Sequence, residues 1–585
     1  MSDEVGPGAT LTGNLFHGAG EGDWDLEVIE GRWPDDALGE VFIIGPDKRE
    51  PGGHWFNQFG LLHRFSMEPT PGGTISARAR AMGTRVARIQ RRYPKLFRTV
   101  EFAQFSPFGV SNMANTNVQA MDGRLFVGYD AGRPIEVDPV TLEVITPVGS
   151  NGEWAQMAPG LLEPMCPVAA HPAPSWEERA LYFVNYFPMP GAPTYLARWG
   201  LSGPVERWPL EGMGPFDSIH DIKATSNHLV FCDLPFKLEP DVMRGRGPRQ
   251  LSNQDFTQLW IVAKEDLRRT PPGESVPVTE VRIPMPTGHL MVDVDDSDGI
   301  LRVHTEHITL ADLMITLSEG EVTHSGAVVS RDHEGLISLA QQPGCMGTYE
   351  IVAATGEVRS ADTIWDDRFW GGVLSTYDHT DSAARDQVTQ AWFAGTGFDP
   401  ALVSQDWWDM YAHSDHQRMV PTDELPPEGR PGALASFDLA SRKVSGVFEY
   451  EPGSFPSPPT FVPRRDRSGP NDGYVMVLVH TDGVASSGRR SKEIQIFDAQ
   501  DIEGGPLARA TADGFNPPLL LHSYWMAGRR GPRPSSYRVS GVRDLLGAVA
   551  SFGRVARTFT AVGREISSQK KAGTLPLSGP GAMPL

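Results

Sequence analysis

Along most of the chain, apolar positions recur every second residue, in short runs bounded by Gly, Pro, Asn and Asp. From Trp24 to Phe65 this pattern predicts strands and turns through Gly31-Arg-Trp-Pro34, Gly39-Glu-Val-Phe-Ile-Ile-Gly-Pro46 and His54-Trp-Phe-Asn-Gln-Phe-Gly-Leu-Leu-His-Arg-Phe65. The basic segment Arg85 to Arg98 reads as a helix or as an excursion between strands. Residues 114–146 form a self-contained unit. Ala114-Asn-Thr-Asn-Val118 leads to the turn Asp122-Gly123, then Arg124-Leu-Phe-Val-Gly-Tyr-Asp130, a second turn, and Pro134-Ile-Glu-Val-Asp-Pro-Val-Thr-Leu-Glu143. Strand, Asp-Gly turn, strand and a further strand is the grammar of one four-stranded propeller blade. Similar runs recur at Ala180–Val184, Leu229–Phe231, Leu259–Val262, Ile300–Val303, Leu434–Asp438 and Gly473–His480. No fixed-period repeat accompanies them, so an all-β propeller rests here on grammar alone. Residues 380–432, rich in Trp and Asp and interrupted by Pro, read as a long insertion.

The period changes near the C-terminus. After a Gly/Arg/Pro-rich break at 526–536, Val542, Leu545, Val549, Phe552, Ala556, Phe559 and Ile566 make one helical apolar stripe, with Arg543, Arg554, Arg557 and Arg564 off it. Docking on the body or self-association is one reading of this helix. An interfacial membrane contact through residues 542–566 is the other. The expected organisation is a flexible leader at 1–24, a single β domain at 25–525, and a linker, basic helix and tail at 526–585.

Composition narrows the classes. The 585 residues carry 52 basic and 73 acidic side chains, a net charge of −21 that argues against nucleic acid as a general partner. Gly 62 and Pro 50 are spread along the chain, as many turns require. Cys166, Cys232 and Cys345 form no CxxC pair, which suits a reducing compartment. No signal peptide and no run of about 18 apolar residues is visible, so the expected location is cytoplasmic, with peripheral membrane contact as an addition.

Four histidines stand out by context: His171 in Ala-Ala-His-Pro172, His220 in Ser218-Ile-His-Asp-Ile222, His304 in Leu301-Arg-Val-His-Thr305 and His522 in Leu-Leu-Leu-His-Ser-Tyr-Trp525. Their wide separation excludes a local finger motif. It is the spacing expected if separate blades each send one side chain to a common axis. Neutral imidazoles suit Fe, Zn, Cu or Ni, but 16 histidines in the chain make any four of them a weak signal by themselves.

The order and wording of these segments resemble the carotenoid cleavage oxygenase family, which includes the retinal pigment epithelial isomerases and lignostilbene dioxygenases. The likeness runs through Gly45-Pro46, His54-Trp-Phe56, Ala114-Asn-Thr-Asn117, Ala170-His-Pro172 and His220-Asp221. It continues through Phe461-Val-Pro-Arg464, Asp472-Gly473, Phe497-Asp-Ala499 and Gly505-Pro-Leu-Ala-Arg509 to His522. The resemblance implies a seven-bladed β-propeller with a loop and helix dome over a metal axis. It also implies Fe(2+) held by His171, His220, His304 and His522, and O2-dependent cleavage of a carbon–carbon double bond in a hydrophobic, carotenoid- or apocarotenoid-like alkene. His304 takes the third ligand position in that alignment and His307 is the alternative. On an extended strand the two face opposite ways.

The resemblance further places Asp130 behind one ligand, where relatives carry glutamate, and puts Tyr129, Phe461 and Trp525 at the substrate. A phenolic stilbene is disfavoured, because Tyr129 stands where the lignostilbene branch has lysine. Another expected glutamate is replaced by Pro458, and a third has no assigned position. These departures keep open two alternatives: a metal-holding propeller that binds a hydrophobic ligand without cleaving it, and a non-oxidative isomerase or hydrolase at the same site.

Overall fold

Asp122 and Gly123 both take positive φ, 57° and 69°, the two-residue turn whose twist matches that of antiparallel strands. It joins Asn117–Met121 to Arg124–Tyr129, and Gly132–Val137 and Val144–Pro147 complete a four-stranded antiparallel sheet. This is the unit read from residues 114–146. The computed structural model describes residues 11, 15–100, 103–189, 191–214, 216–234, 255–308, 315–337, 342–379, 387–413, 419–481, 492–528 and 533–572.

Among these residues the chain is all-β with a few helices. The strands form one ten-stranded sheet, one five-stranded sheet, four four-stranded sheets and a small three-stranded one. Most pairs join strands close in sequence, so each four-stranded sheet is a meander that starts at one edge. The starting strands Ala173–Ser175, Ser218–Ala224 and Thr287–Val292 lie against one another in turn. The ten-stranded sheet unites the chain's two ends: Glu40–Pro46 pairs with His522–Met526, and Gly22–Gly31 pairs with Ala508–Thr511.

The cores lie between neighbouring sheets. One packs Phe126, Trp154 and Trp199, another Phe231 and Trp260, and a third Trp392, Phe461 and Val475. A buried ion pair joins Arg124 to Glu136 at 2.6 Å, and Arg533, from beyond the last strand, reaches the same carboxylate at 2.5 Å. Two guanidiniums on one carboxylate supply the compensation that a buried charge requires.

Two expectations change and a third is narrowed to one of its alternatives. Within 380–432, Gln390–Gly395 is an inner strand of the sheet formed with Gly372–Tyr377, Ala433–Asp438 and Lys443–Glu449. Its continuous apolar run is buried on both faces, which hides the alternation; the helix Gln405–His413 follows it, and 380–386 and 414–418 lie outside the described residues. Of the leader, residues 1–10 and 12–14 lie outside the described residues, but Leu11, Leu15 and Phe16 are buried against Leu317 and Phe455. The basic segment forms the helix Arg85–Arg92, started by Thr84, whose hydroxyl accepts from the Ala87 amide at 3.0 Å.

The C-terminal segment forms helices Gly541–Val549 and Ser551–Ala572. They dock mainly through Asp544, Ala548, Ser551, Val555 and Val562; of the apolar stripe read from the sequence, Phe559 meets Phe187 edge-on, ring centroids 5.7 Å apart, while most of the rest stays exposed. Asp544 pairs with Arg133 at 2.8 Å and accepts from the Asn151 amide at 2.9 Å.

Candidate metal centre

His220 sits in Ser218–Ala224 at an irregularity: Ile219 pairs with Asp233 and Asp221 with Cys232, so His220 is left out of the ladder. His289 sits beside a similar one, since Thr287 pairs with His307 and His289 with Glu306, leaving Gly288 between them. Such bulges re-aim a side chain within a strand. His171 lies just before Ala173–Ser175, its amide donating to the His220 carbonyl at 3.2 Å. His522 opens the last strand, opposite Ile44.

These four rings converge. One ring nitrogen from each of His171, His220, His289 and His522 lies within 4.8 Å of the others. The Nε2 atoms of His171 and His522 are 3.1 Å apart, and those of His220 and His289 3.2 Å apart. Nitrogens bound to one first-row ion at about 2.1 Å stand roughly 3 Å apart when adjacent, so the cluster has the dimensions of a shared coordination sphere.

The structure therefore places His289, not His304, with the other three. His304 lies on Ile300–His307, the second strand of that sheet, opposite Met291. Its Nδ1 faces the Thr348 hydroxyl at 3.2 Å and its Nε2 is 3.6 Å from Asp293. His307 does not serve either: it packs against Tyr349, with Nε2 2.8 Å from the phenol oxygen, and burial pushes its pKa down to about 4. The signal for His289 was present in Thr287-Gly-His-Leu-Met-Val292, an alternating run entered at a histidine, as in Ser218-Ile-His-Asp-Ile222.

Two carboxylates orient the cluster. Asp130 accepts from His220 Nδ1 at 2.9 Å and from the Ala170 amide at 3.2 Å, so it supports both a ring and the backbone beside His171. Glu306, unassigned by sequence, accepts from His289 Nδ1 at 2.8 Å and from the Ser375 amide at 2.7 Å. Nδ1 protonated toward a carboxylate leaves the Nε2 lone pair for the centre. Pro458 lines a neighbouring apolar cavity, and its side chain offers no acceptor.

Burial, then the neighbouring histidines, hold His171 and His522 well below the ordinary histidine range, so both rings are neutral donors at neutral pH. Burial also acts on His220, but the Asp130 carboxylate outweighs it and raises that group. Asp221 ties two of the strands together, pairing with Lys223 and accepting from the Leu290 amide at 3.1 Å. Four imidazoles without a coordinating carboxylate suit a borderline divalent ion such as Fe(2+).

Two cavities lie near the cluster. One is of mixed character and takes in His171, His289 and His522 with Lys223, Tyr377 and Tyr524. The other is apolar, lined by Phe16, Trp55, Leu317, Leu336, Leu374 and Leu521. Leu374 and Leu521 precede Ser375 and His522, which border the first cavity, so the two cavities lie toward opposite ends of these strands.

Of the expected substrate contacts, Tyr129 is buried among Phe56, Phe59, Met113 and Met165, its hydroxyl without a hydrogen-bond partner among the described residues. Phe461 instead stacks on Trp392 inside a core, ring centroids 5.2 Å apart. Trp525 packs in another core, with Nε1 donating to the Leu38 carbonyl at 2.7 Å. Alternation along their strands turns both away from the cavities.

Known proteins share this sequence pattern and this architecture. The sequence model described as "Retinal pigment epithelial membrane protein" matches residues 15–527. Resveratrol cleavage oxygenase 1 of Aspergillus fumigatus is 23% identical over 539 residues, covering 87% of this chain and 93% of that protein. The chloroplastic carotenoid cleavage dioxygenase 7 of Oryza sativa is 32% identical over 140 residues, covering 21% of this chain and 22% of that protein. Among solved structures, the lignostilbene dioxygenase of Pseudomonas brassicacearum superposes with TM-score 0.60 at 19% identity, over 88% of this chain and 97% of that one. A cobalt-substituted apocarotenoid oxygenase of Synechocystis superposes with TM-score 0.58 at 19% identity, over 88% and 98%.

Proposed function

Since the chain belongs to the retinal pigment epithelial membrane protein family, within the carotenoid cleavage oxygenase superfamily, we propose that it is a non-haem Fe(2+) dioxygenase. In this reading it splits a carbon–carbon double bond of a hydrophobic, apocarotenoid-like alkene into two carbonyl products. The observation that carries the proposal is the convergence of four neutral or carboxylate-oriented imidazoles on one point. His171, His220, His289 and His522 would hold the ion, and Asp130 and Glu306 would fix two of the rings. Bound there, Fe(2+) supplies O2 activation, and the protein's own residues position the alkene and keep water away.

The apolar cavity ending at Leu374 and Leu521 suits a long hydrocarbon. Tyr129 offers only a neutral hydroxyl among apolar neighbours, without the positive charge that would favour a phenolate. That a structurally similar oxygenase takes a cobalt-substituted form supports reading the cluster as a metal centre. The sheet order supports a seven-bladed propeller: parting the ten-stranded sheet between Gly22–Gly31 and Ala508–Thr511 gives two units, which join the one five-stranded and four four-stranded sheets.

The test is reconstitution with Fe(2+) and measurement of O2 uptake and aldehyde formation with an apocarotenal and with a stilbene panel. Uptake with the apocarotenal is expected. Uptake with stilbenes alone would move the substrate to the class named by the resveratrol-cleaving relative. No uptake by the iron-loaded chain with either would overturn the cleavage reading.

A further inference from the structure

The C-terminal helices lie beyond residue 527, where the family match ends. Their docked face leaves an apolar surface largely uncovered, made of most of that stripe with Leu546 beside it: Val542 is 71% exposed, Leu546 65%, Val549 51%, and Leu545, Phe552 and Phe559 between 45% and 47%, the last with one edge against Phe187. Six exposed large apolar side chains on about five turns of helix are a cost in water unless something covers them. No helix among the described residues is long and apolar enough to cross a membrane.

The surroundings of this stripe are basic, although the chain carries −21 overall. Gly541 lies beside the Arg85 guanidinium, which starts the helix Arg85–Arg92. From there Arg85, Arg88, Arg91, Arg92, Lys95 and Arg98 are all exposed, with no acid among them. Tyr93 and Leu96 are exposed in the same run, at 54% and 47%. The run returns to the helices through Phe97, which packs on Phe108, and through the Phe108 carbonyl, which accepts from the Leu162 amide; Gly160 in turn donates to Ser551. Arg557 and Arg564 are exposed on the second helix, where Glu565 is the exposed acid.

We propose that the exposed stripe of residues 542–559 and the basic run 85–98 together form a docking surface for an anionic lipid membrane. The apolar side chains enter the interface while the cations meet the headgroups. A second copy of the chain is the less suited occupant, because a two-fold pairing would set this basic patch against itself.

The full chain is tested by sedimentation with vesicles of phosphatidylcholine plus phosphatidylserine and with phosphatidylcholine alone, at physiological salt. Binding to the anionic vesicles is expected, weakened by added salt. The pair Leu546→Asp and Phe552→Asp should reduce it about tenfold or more, and Arg91→Gln with Arg92→Gln should reduce it several-fold, roughly as lost headgroup attraction predicts. All four positions are exposed, so an unchanged melting curve serves as the fold control. No binding to the anionic vesicles, or binding unaffected by Leu546→Asp and Phe552→Asp, would overturn the proposal. So would concentration-dependent dimerisation that these substitutions abolish in a chain that ignores vesicles.

Discussion

Glu306 divides its two oxygens between two sheets: Oε2 accepts from His289, and Oε1 from the Ser375 amide. Losing such a carboxylate behind a ligand costs about 10- to 100-fold in metal affinity, so Glu306→Ala should release iron to a chelator at correspondingly lower concentration. His289→Ala should reduce bound iron to background by elemental analysis, whereas His304→Ala should retain it. The contrast follows from position. His304 stands on a strand one step out from the cluster, and its rank in the sequence came from a phrase, while the edge-strand pattern around Gly288-His289 carried the information. Asp130 was legible through the family resemblance, which puts an acid at that position. Glu306 was not, because the acid that orients a ring is chosen by cross-strand register, which the sequence does not display.

A second residue-scale effect concerns His63, which is 1% exposed and lies away from the cluster. Burial, with Lys492 nearby, pushes its pKa down to about 3. The ring is neutral in the fold and ordinary, near 6.5, once unfolded. Its contribution is therefore present above about pH 6.5 and lost as pH falls toward about 3, by up to roughly 1.4 kcal/mol per unit. The other buried histidines with lowered pKa values add to this slope, so in denaturant titrations between pH 7 and 5 His63→Leu should reduce the slope by its own share without abolishing it.

At the scale of elements, close approach matters as much as pairing. A Cβ on Gly128 would stand 2.0 Å from the Ala170 carbonyl oxygen, one residue from His171. Gly128→Ala should thus cost about 1–3 kcal/mol in stability by overpacking and lower iron content as well, read by calorimetry and elemental analysis on the same sample. The Asp122-Gly123 hairpin was legible because both residues tolerate positive φ, and the strands around it alternate. Gln390–Gly395 was obscured because an inner strand loses its alternation. The C-terminal helix showed a true stripe but the wrong contact, since its docked face relies on Asp544 and Ser551, which hydrophobic periodicity passes over. Asp544→Ala would strand the buried Arg133 and weaken docking by about 3–5 kcal/mol; limited proteolysis should then cut within 541–572 well before the body of the protein.

Across the whole molecule, the four rings come from separate sheets, and His171 and His522 are 351 residues apart. An ion that binds the native cluster alone, at roughly 200- to 1,000-fold over its dissociation constant, would add about 3–4 kcal/mol. Stripping the iron should accordingly lower the melting temperature, and re-adding it should restore the loss. The pairing of His522–Met526 with Glu40–Pro46 also sets an order of events during synthesis. A growing chain on the ribosome holds three of the four histidines at most until His522–Met526 emerges, so the full cluster forms only once that strand pairs with Glu40–Pro46. A message with a premature stop shortly before codon 522 would yield a protein most of whose sheets are encoded but which lacks both that pairing and the fourth imidazole.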